Sequence, residues 1–291
     1  MGIVLGVGEM LWDVFPSEKH LGGAPVNFVY HCRQMGLDAQ PVSRIGTDAL
    51  GKEIQAVLKA KNIPADWVQV DEKHPTGTVK VTMSGTDHTF TIMEGAAWDF
   101  IEASDKLLTS AKNAEAICFG TLAQRNPVSR ETILSMVKAC NGLKIYDINL
   151  RQHFYSKEII EKSLSLADVL KLNIDELWSL REMLNIRGQS PEDIGRGLLS
   201  KYNLETVCVT RGGDGAMLLA GDEVVEVAGE KVALVDTVGC GDAFCAAMVC
   251  GLLRGKPLET VVKNANRVGL FVAGQAGGTP SWPKEMKAKL S

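Results

Sequence analysis

Asp236-Thr237-Val238-Gly239-Cys240-Gly241-Asp242-Ala243-Phe244 is the stretch on which the reading of this chain turns. Two glycines flank a small residue, a carboxylate follows at once, and an apolar run begins after it. That layout suits a loop turning sharply into a helix. Glycines permit positive φ and close approach of the backbone to a ligand. A helix start turns free N–H groups toward an anion. With Asp242 beside such a cradle, anion binding and proton abstraction meet in one place, as phosphoryl transfer to an alcohol requires. A helix N-cap Asp after a glycine turn accounts for the same residues equally well.

Outward from this stretch, apolar β-rich runs alternate with helical patterns. Buried strands are expected at 3–7, 41–45, 116–122, 144–148, 169–172 and 206–210. Helices are expected at 25–35, 50–61, 104–113, 128–140, 156–165, 175–184 and 191–201. Such alternation predicts an α/β fold, a mostly parallel sheet covered on both faces. Residues 216–219 and 224–227 read as an antiparallel hairpin, and helices 242–253 and 258–273 close the fold. The segment from Thr76 to Asp99 breaks the rhythm: short strands at 78–83 and 89–93 flank the turn Ser84-Gly85-Thr86-Asp87 with no helix between them. Together with strand-like 11–15, they predict a small sheet outside the main body. With no Pro/Ser linker, repeat or low-complexity tract, one domain over 1–291 is the economical reading, its appendage built from about 11–16 and 76–99.

Composition narrows the partners. Hydrophobic residues make up 45% and charged residues 23%, ordinary for a globular protein with a sizeable core. The net charge is −4 and no Lys/Arg block forms a basic footprint, so neither nucleic acid nor a membrane surface is an expected partner. Seven cysteines, none in a C-x-x-C pair, argue against a zinc site and for reduced, buried thiols in a cytoplasmic protein. The N-terminus lacks a basic region and carries Glu9 and Asp13, unlike a signal peptide. The longest apolar run, 243–253, is too short to span a bilayer.

Further motifs each admit two readings. Leu21-Gly22-Gly23-Ala24-Pro25-Val26-Asn27 is a turn into a helix with Pro in its first turn. Asn173-Ile174-Asp175-Glu176 after a strand is a capping box or a device near a hard cation. Asp147-Ile148-Asn149-Leu150-Arg151 ends another strand, where Arg151 forms a surface ion pair or offsets phosphate charge. Thr210-Arg211-Gly212-Gly213-Asp214-Gly215 is explained by a hairpin turn. Two look-alikes fail. Gly46 to Glu53 nearly spells a P-loop, but Glu53 stands where a hydroxyl should bind magnesium. Gly6-Val7-Gly8 lacks the third glycine of a dinucleotide fold, Leu11 standing in its place, which disfavours a nicotinamide-dependent oxidoreductase.

The order and spacing of these motifs resemble the ribokinase-like (PfkB) carbohydrate kinases, whose C-terminal signature is D-T-x-G-A-G-D-x-F; Cys240 replaces the usual Ala. The resemblance spans the chain from Gly6 to about Pro283. It implies a ribokinase-like three-layer αβα sandwich with a β-strand lid closing over the sugar, and in many members two lids interlock as a homodimer. It implies that Asp242 is the catalytic base and that Gly239, Cys240 and Gly241 form the anion hole. Asp13, Gly22, Gly23 and Asn27 would hold the sugar, with Asn149 and Arg151 close to sugar and phosphates. Asn173, Glu176, Thr210, Gly212 and Gly215 would serve ATP, Glu176 acting on magnesium partly through water. Residues 273–278 would lie near the adenine, and Asp236 with the Val238 carbonyl would ligate potassium. His74-Pro75-Thr76-Gly77-Thr78-Val79, Ala97-Trp98-Asp99 and Leu21 to Phe28 look most like fructokinases, which implies fructose phosphorylated at its 6-hydroxyl. Ribose, 2-keto-3-deoxygluconate and nucleosides are the rival substrates. A sugar-sensing protein without catalysis is the rival class, disfavoured because Gly239, Gly241 and Asp242 are all present.

Overall fold

A computed structural model describes residues 2–84, 87–230 and 232–290. The chain opens with β1 (Val4–Val7), β2 (Leu11–Val14), β3 (Lys19–Gly22) and helix α1 (Ala24–Gln34). Next come β4 (Ala39–Gly46), α2 (Ala49–Ala60), β5 (Val68–Asp71), β6 (Gly77–Ser84) and β7 (Asp87–Ile92). Alternation resumes with α3 (Asp105–Lys112), β8 (Ala116–Phe119), α4 (Pro127–Ala139), β9 (Leu143–Asp147), α5 (Lys157–Leu164) and β10 (Val169–Asn173). Then α6 (Ile174–Met183), α7 (Pro191–Tyr202), β11 (Thr206–Thr210), β12 (Ala216–Ala220) and β13 (Glu223–Val227) lead to α8 (Cys240–Leu253), α9 (Leu258–Ala273) and α10 (Lys284–Leu290).

Nine strands form the main sheet in the order β13-β12-β11-β10-β9-β8-β1-β4-β5. It is parallel from β5 to β11 and antiparallel at the β11-β12-β13 end. Alternate strand residues enter two cores. Leu5, Val7, Ile117 and Phe119 pack with side chains of α3–α7 on one face, whereas Val4, Ala116 and Cys118 pack with α1, α2, α8 and α9 on the other. These are the three layers expected of a parallel sheet, which needs both faces covered. Helix α8 is buried on every side from Ala243 to Cys250, consistent with its nearly uninterrupted apolar sequence.

A second sheet stands apart, four strands in the order β3-β2-β6-β7. Its centre is the parallel pair β2–β6, which brings together chain segments far apart in sequence. The expected appendage thus gains β3, which the Lys19-His20-Leu21-Gly22 composition hides. Edge strand β5 and helix α10 were likewise not expected from periodicity. The strand expected at 116–122 ends at Phe119, and residues 122–124 form a 3₁₀ turn instead. Gly85 and Thr86 of the expected turn lie outside the described residues. All seven cysteines are free, Cys240 half-buried and the rest buried. Among the described residues no helix is long and apolar enough to cross a membrane.

Candidate active site

A cavity of about 700 Å³ opens between the small sheet and the residues that follow the carboxyl ends of β1, β8 and β9. Open α/β sheets present ligands with a crevice at that edge. Glu9, Asn27, Asp147 and Arg151 line it with Val238, Gly239, Gly241 and Asp242, and the small sheet adds Leu11, Asp13, Val79, Phe90 and Ile92. The cavity therefore gathers Asp13, Gly23, Asn27, Asn149, Arg151, Gly239, Gly241 and Asp242 of the expected site. Gly22, Cys240, Asn173, Glu176, Thr210, Gly212, Gly215 and Asp236 do not line it.

Helix α8 starts earlier than its sequence suggests. Gly239, at φ 74°, is the N-cap, so Asp242 occupies the third helical position. The N-cap explanation of Asp242 is thereby replaced: its carboxylate leaves the helix and accepts a 2.9 Å hydrogen bond from Asn27 Nδ2. The first-turn N–H groups of Gly241 and Asp242 are among those a helix start leaves without intrahelical carbonyls. Burial raises the pKa of Asp242 to about 6, and the Asp147 carboxylate adds to the rise. Asn27, Lys171 and Arg151 oppose it.

The other wall is carboxylate and amide. Burial lifts Asp13 to about 6, against the pull of His20, and lifts Glu9 to about 7. Glu9 Oε1 accepts from the Ala24 N–H at 3.2 Å and so fixes the start of α1. Gly23, at φ 110°, is sterically required, since a Cβ there would sit 2.3 Å from the Glu9 carbonyl, and a Cβ on Gly22, 2.2 Å from Asp13 Oδ2, would displace that carboxylate. Asn27 is 3% exposed, yet its Oδ1 accepts no bond among the described residues. Asn149 holds φ 42°, and its buried Nδ2 likewise lacks a partner. Two unsatisfied amide atoms around one cavity are what a polyol would satisfy.

Sequence reasoning assigned no role to Glu9 or Lys171 and named Asp147 only as the first residue of the Asp147–Arg151 motif. Lys171, 3% exposed, donates to Asp147 Oδ1 at 2.9 Å. Its Nζ lies 3.0 Å from where a Gly241 Cβ would be, so a buried cation sits directly under the turn. Burial works to lower its pKa, but Asp147, Cys245 and Asp242 together hold it above the ordinary lysine value. A single lysine inside the apolar strand Val169-Leu170-Lys171-Leu172 was the available signal, since an ammonium is buried only when paired.

The expected ion ligands are already engaged. Glu176 accepts from Leu150 N–H and Asn173 N–H, both at 2.9 Å, and Asn173 Oδ1 accepts from Glu176 N–H at 2.8 Å. The capping box is therefore real, and it also ties α6 to the Asn149–Arg151 loop. Asp236 accepts from Val238 N–H and Gly277 N–H, both at 3.0 Å, and so shapes the glycine turn. Thr210 Oγ1 donates to the Leu172 carbonyl at 3.4 Å. Gly212 and Gly215, at φ 56° and 96°, make the β11–β12 turn. In the P-loop look-alike, Asp48 caps α2 by accepting from Gly51 N–H at 2.8 Å, and it also accepts from Thr76 N–H and Oγ1. A carboxylate thus occupies the place an anion would need.

A family model described as "pfkB family carbohydrate kinase" matches residues 9–285. The chain is 29% identical to a sugar kinase of Pyrococcus horikoshii described as uncharacterized, over 99% of this chain and 94% of the other. It is 27% identical to a fructokinase of Escherichia coli, over 95% of each. The solved structure of a Xylella fastidiosa fructokinase with bound ATP superposes with a TM-score of 0.87 at 20% identity, covering 99% of this chain and 97% of that one.

Proposed function

Because the chain belongs to the pfkB family of carbohydrate kinases, we propose that it transfers the γ-phosphoryl group of ATP to the 6-hydroxyl of D-fructose. The observation that carries this reading is the hydrogen bond from Asn27 to Asp242 at the start of α8. It puts a polyol-type amide, a carboxylate poised near neutral pH and a helix start at one point of one cavity. The acceptor hydroxyl lies over Asp242, between Asn27 and Asp13. Asp242 takes its proton as the oxygen bonds to phosphorus in line, and the bond to the ADP oxygen breaks. N–H groups of Gly239 to Asp242 hold the charge that develops on the phosphoryl oxygens.

ATP with its magnesium ion supplies the phosphoryl group and neutralises part of its charge. Because both Glu176 oxygens already accept N–H bonds, that residue suits a magnesium-bound water better than the ion itself. Asn173, Thr210, Gly212 and Gly215 are assigned to the nucleotide, together with 273–278. Asp236 and the Val238 carbonyl are assigned to a potassium ion. The small sheet is the lid that excludes water from the sugar, and its edge strands β3 and β7 are the surface through which a homodimer forms. The enzyme is placed in the cytoplasm.

Charge separates the candidate sugars. Glu9 and Asp13 line the sugar end, so a neutral polyol is favoured over a sugar acid such as 2-keto-3-deoxygluconate. Likeness to the E. coli fructokinase favours fructose over ribose. ADP release should be coupled to a reporter across fructose, ribose, 2-keto-3-deoxygluconate and nucleosides. Fructose is expected to give the highest kcat/KM. Turnover on ribose without turnover on fructose would replace the sugar and keep the kinase, whereas no turnover on any of them would remove the kinase.

Asp13→Ala deletes hydroxyl contacts and leaves the glycine turn intact. Calorimetry is expected to show weaker fructose binding with ATP affinity nearly unchanged. Equal losses for both ligands would contradict the assignment of Asp13 to the sugar.

A further inference from the structure

Asn27 and His31 lie one turn apart on α1, both buried. Asn27 holds Asp242. His31 is turned to the segment after α9, where its Nε2 lies 2.9 Å from the Gly278 carbonyl. On the other side of the ring, Trp282 Nε1 lies 3.1 Å from His31 Nδ1. An indole N–H can only donate, so Nδ1 is the acceptor and Nε2 carries the proton. The tautomer is thus fixed, and Nε2 donates to Gly278. Burial lowers the pKa of His31 to about 4, so the ring stays neutral and keeps this donor–acceptor pair near pH 7.

Gly278 is wedged between the two halves of the site. A Cβ on Gly239 would lie 2.5 Å from Gly278 Cα, and a Cβ on Gly278 would lie 3.0 Å from Asn27 Nδ2. The Gly277-Gly278 backbone has little stiffness of its own. It is held by Asp236, which accepts from the Gly277 N–H at 3.0 Å, and by three successive carbonyls that accept from outside: Gly278 from His31, Thr279 from Lys61 at 3.1 Å, and Pro280 from Tyr30 Oη at 2.9 Å. His31 holds the carbonyl nearest the glycine turn.

From this geometry we infer that His31 is a positioning residue: through Gly278 it sets the separation between the amide of Asn27, which faces the acceptor, and the anion-holding turn at Gly239. Its effect on turnover rests on the kinase reading above; its effect on the turn does not. The ligand contacts themselves stay on α1, β2 and α8, so loss of His31 changes their mutual placement rather than removing any of them. Misplacement of about 1 Å costs on the order of 10²-fold in rate.

The test compares His31→Leu, His31→Gln and Trp282→Phe with the unaltered protein. Turnover is measured per folded molecule with fructose and ATP, and amide hydrogen exchange is followed without ligands. His31→Leu is expected to lower kcat by about 10²-fold, with KM for each substrate changed by less than about 3-fold. His31→Gln keeps a donor for Gly278 and is expected to recover most of that loss. Trp282→Phe frees the tautomer and should fall between the two. In the exchange arm, His31→Leu should speed exchange at the bonded amides of Val238, Cys240 and Gly277 while the middle of α8 stays protected. If His31→Leu does not fold, Trp282→Phe carries both arms. Unchanged exchange at the turn overturns the inference whether or not the protein turns over fructose. So does a loss confined to KM, or a Gln variant no better than Leu. If the unaltered protein turns over no sugar, the kinase reading falls and the exchange arm still decides the role of His31.

Discussion

Asp242→Asn is expected to lower kcat by roughly 10²–10⁴ while fructose and ATP still bind, the usual contribution of a positioned general base. The substitution is nearly isosteric and leaves Asn27 a carbonyl to donate to, so the 2.9 Å contact can persist. What disappears is the ability to take a proton. Isothermal calorimetry with purified protein separates binding from turnover, and near-normal turnover in a folded variant would remove Asp242 from the role. The same assignment fixes the pH profile. A base works only when ionised, and burial with Asp147 nearby raises the pKa of Asp242 to about 6. For the free enzyme, kcat/KM should therefore rise with pH through about 6 and fall away below it. This acid limb should vanish in the residual activity of Asp242→Asn.

Gly239→Ala is expected to act nearly as strongly, by a different route. Gly239 sits at φ 74°, and a Cβ there would lie 2.5 Å from Gly278 Cα and 2.8 Å from its carbonyl oxygen. Both obstacles are backbone, so the turn itself must move. A displaced anion hole costs about 10²–10³ in kcat, and the left-handed conformation adds roughly 1–2 kcal/mol of destabilisation. Gly255→Ala is the control. It has φ 61° at the other end of α8, with open space around its Cβ position. It should lower the thermal midpoint and leave kcat unchanged. If both variants lose only stability, the turn at Gly239 does not hold the phosphoryl charge.

The α/β order was legible because buried parallel strands are short continuous apolar runs, and the strand expected at 206–210 coincides with β11. Sheet order was not legible, since β1 pairs with β4 and β8 through contacts that no local pattern encodes. Edge strand β3 escaped notice because it exposes Lys19 and buries only Leu21 and Gly22, and β5 because it exposes Val70 and buries Asp71, the reverse of the usual pattern. Of the residues expected from motifs, Asp13, Asn27, Asp242, Gly23, Gly239 and Gly241 line the cavity, whereas Gly22, Gly212 and Gly215 do not. Glu9, Asp147 and Lys171 act through burial and mutual charge, which appear only when three strand ends converge. The resemblance implied Glu176 and Asp236 as ion ligands; that their oxygens also accept backbone N–H bonds appears only once the chain is folded. That the N-cap is Gly239 rather than Asp242 could be read only from the backbone angles.

Helix α8 differs from an ordinary surface helix in being surrounded by apolar side chains along nearly its whole length. Dissolved ions screen charge over about 8–10 Å at ordinary ionic strength, but they act through solvent. The body of α8 is wrapped in α1 and α9, and its first turn, Gly239 to Asp242, is half-buried where it borders the cavity. Its pull on an anion is therefore screened less than that of a fully exposed helix start. Added salt is therefore expected to weaken an anion's attraction to the exposed Arg151 more than its attraction to this half-buried turn.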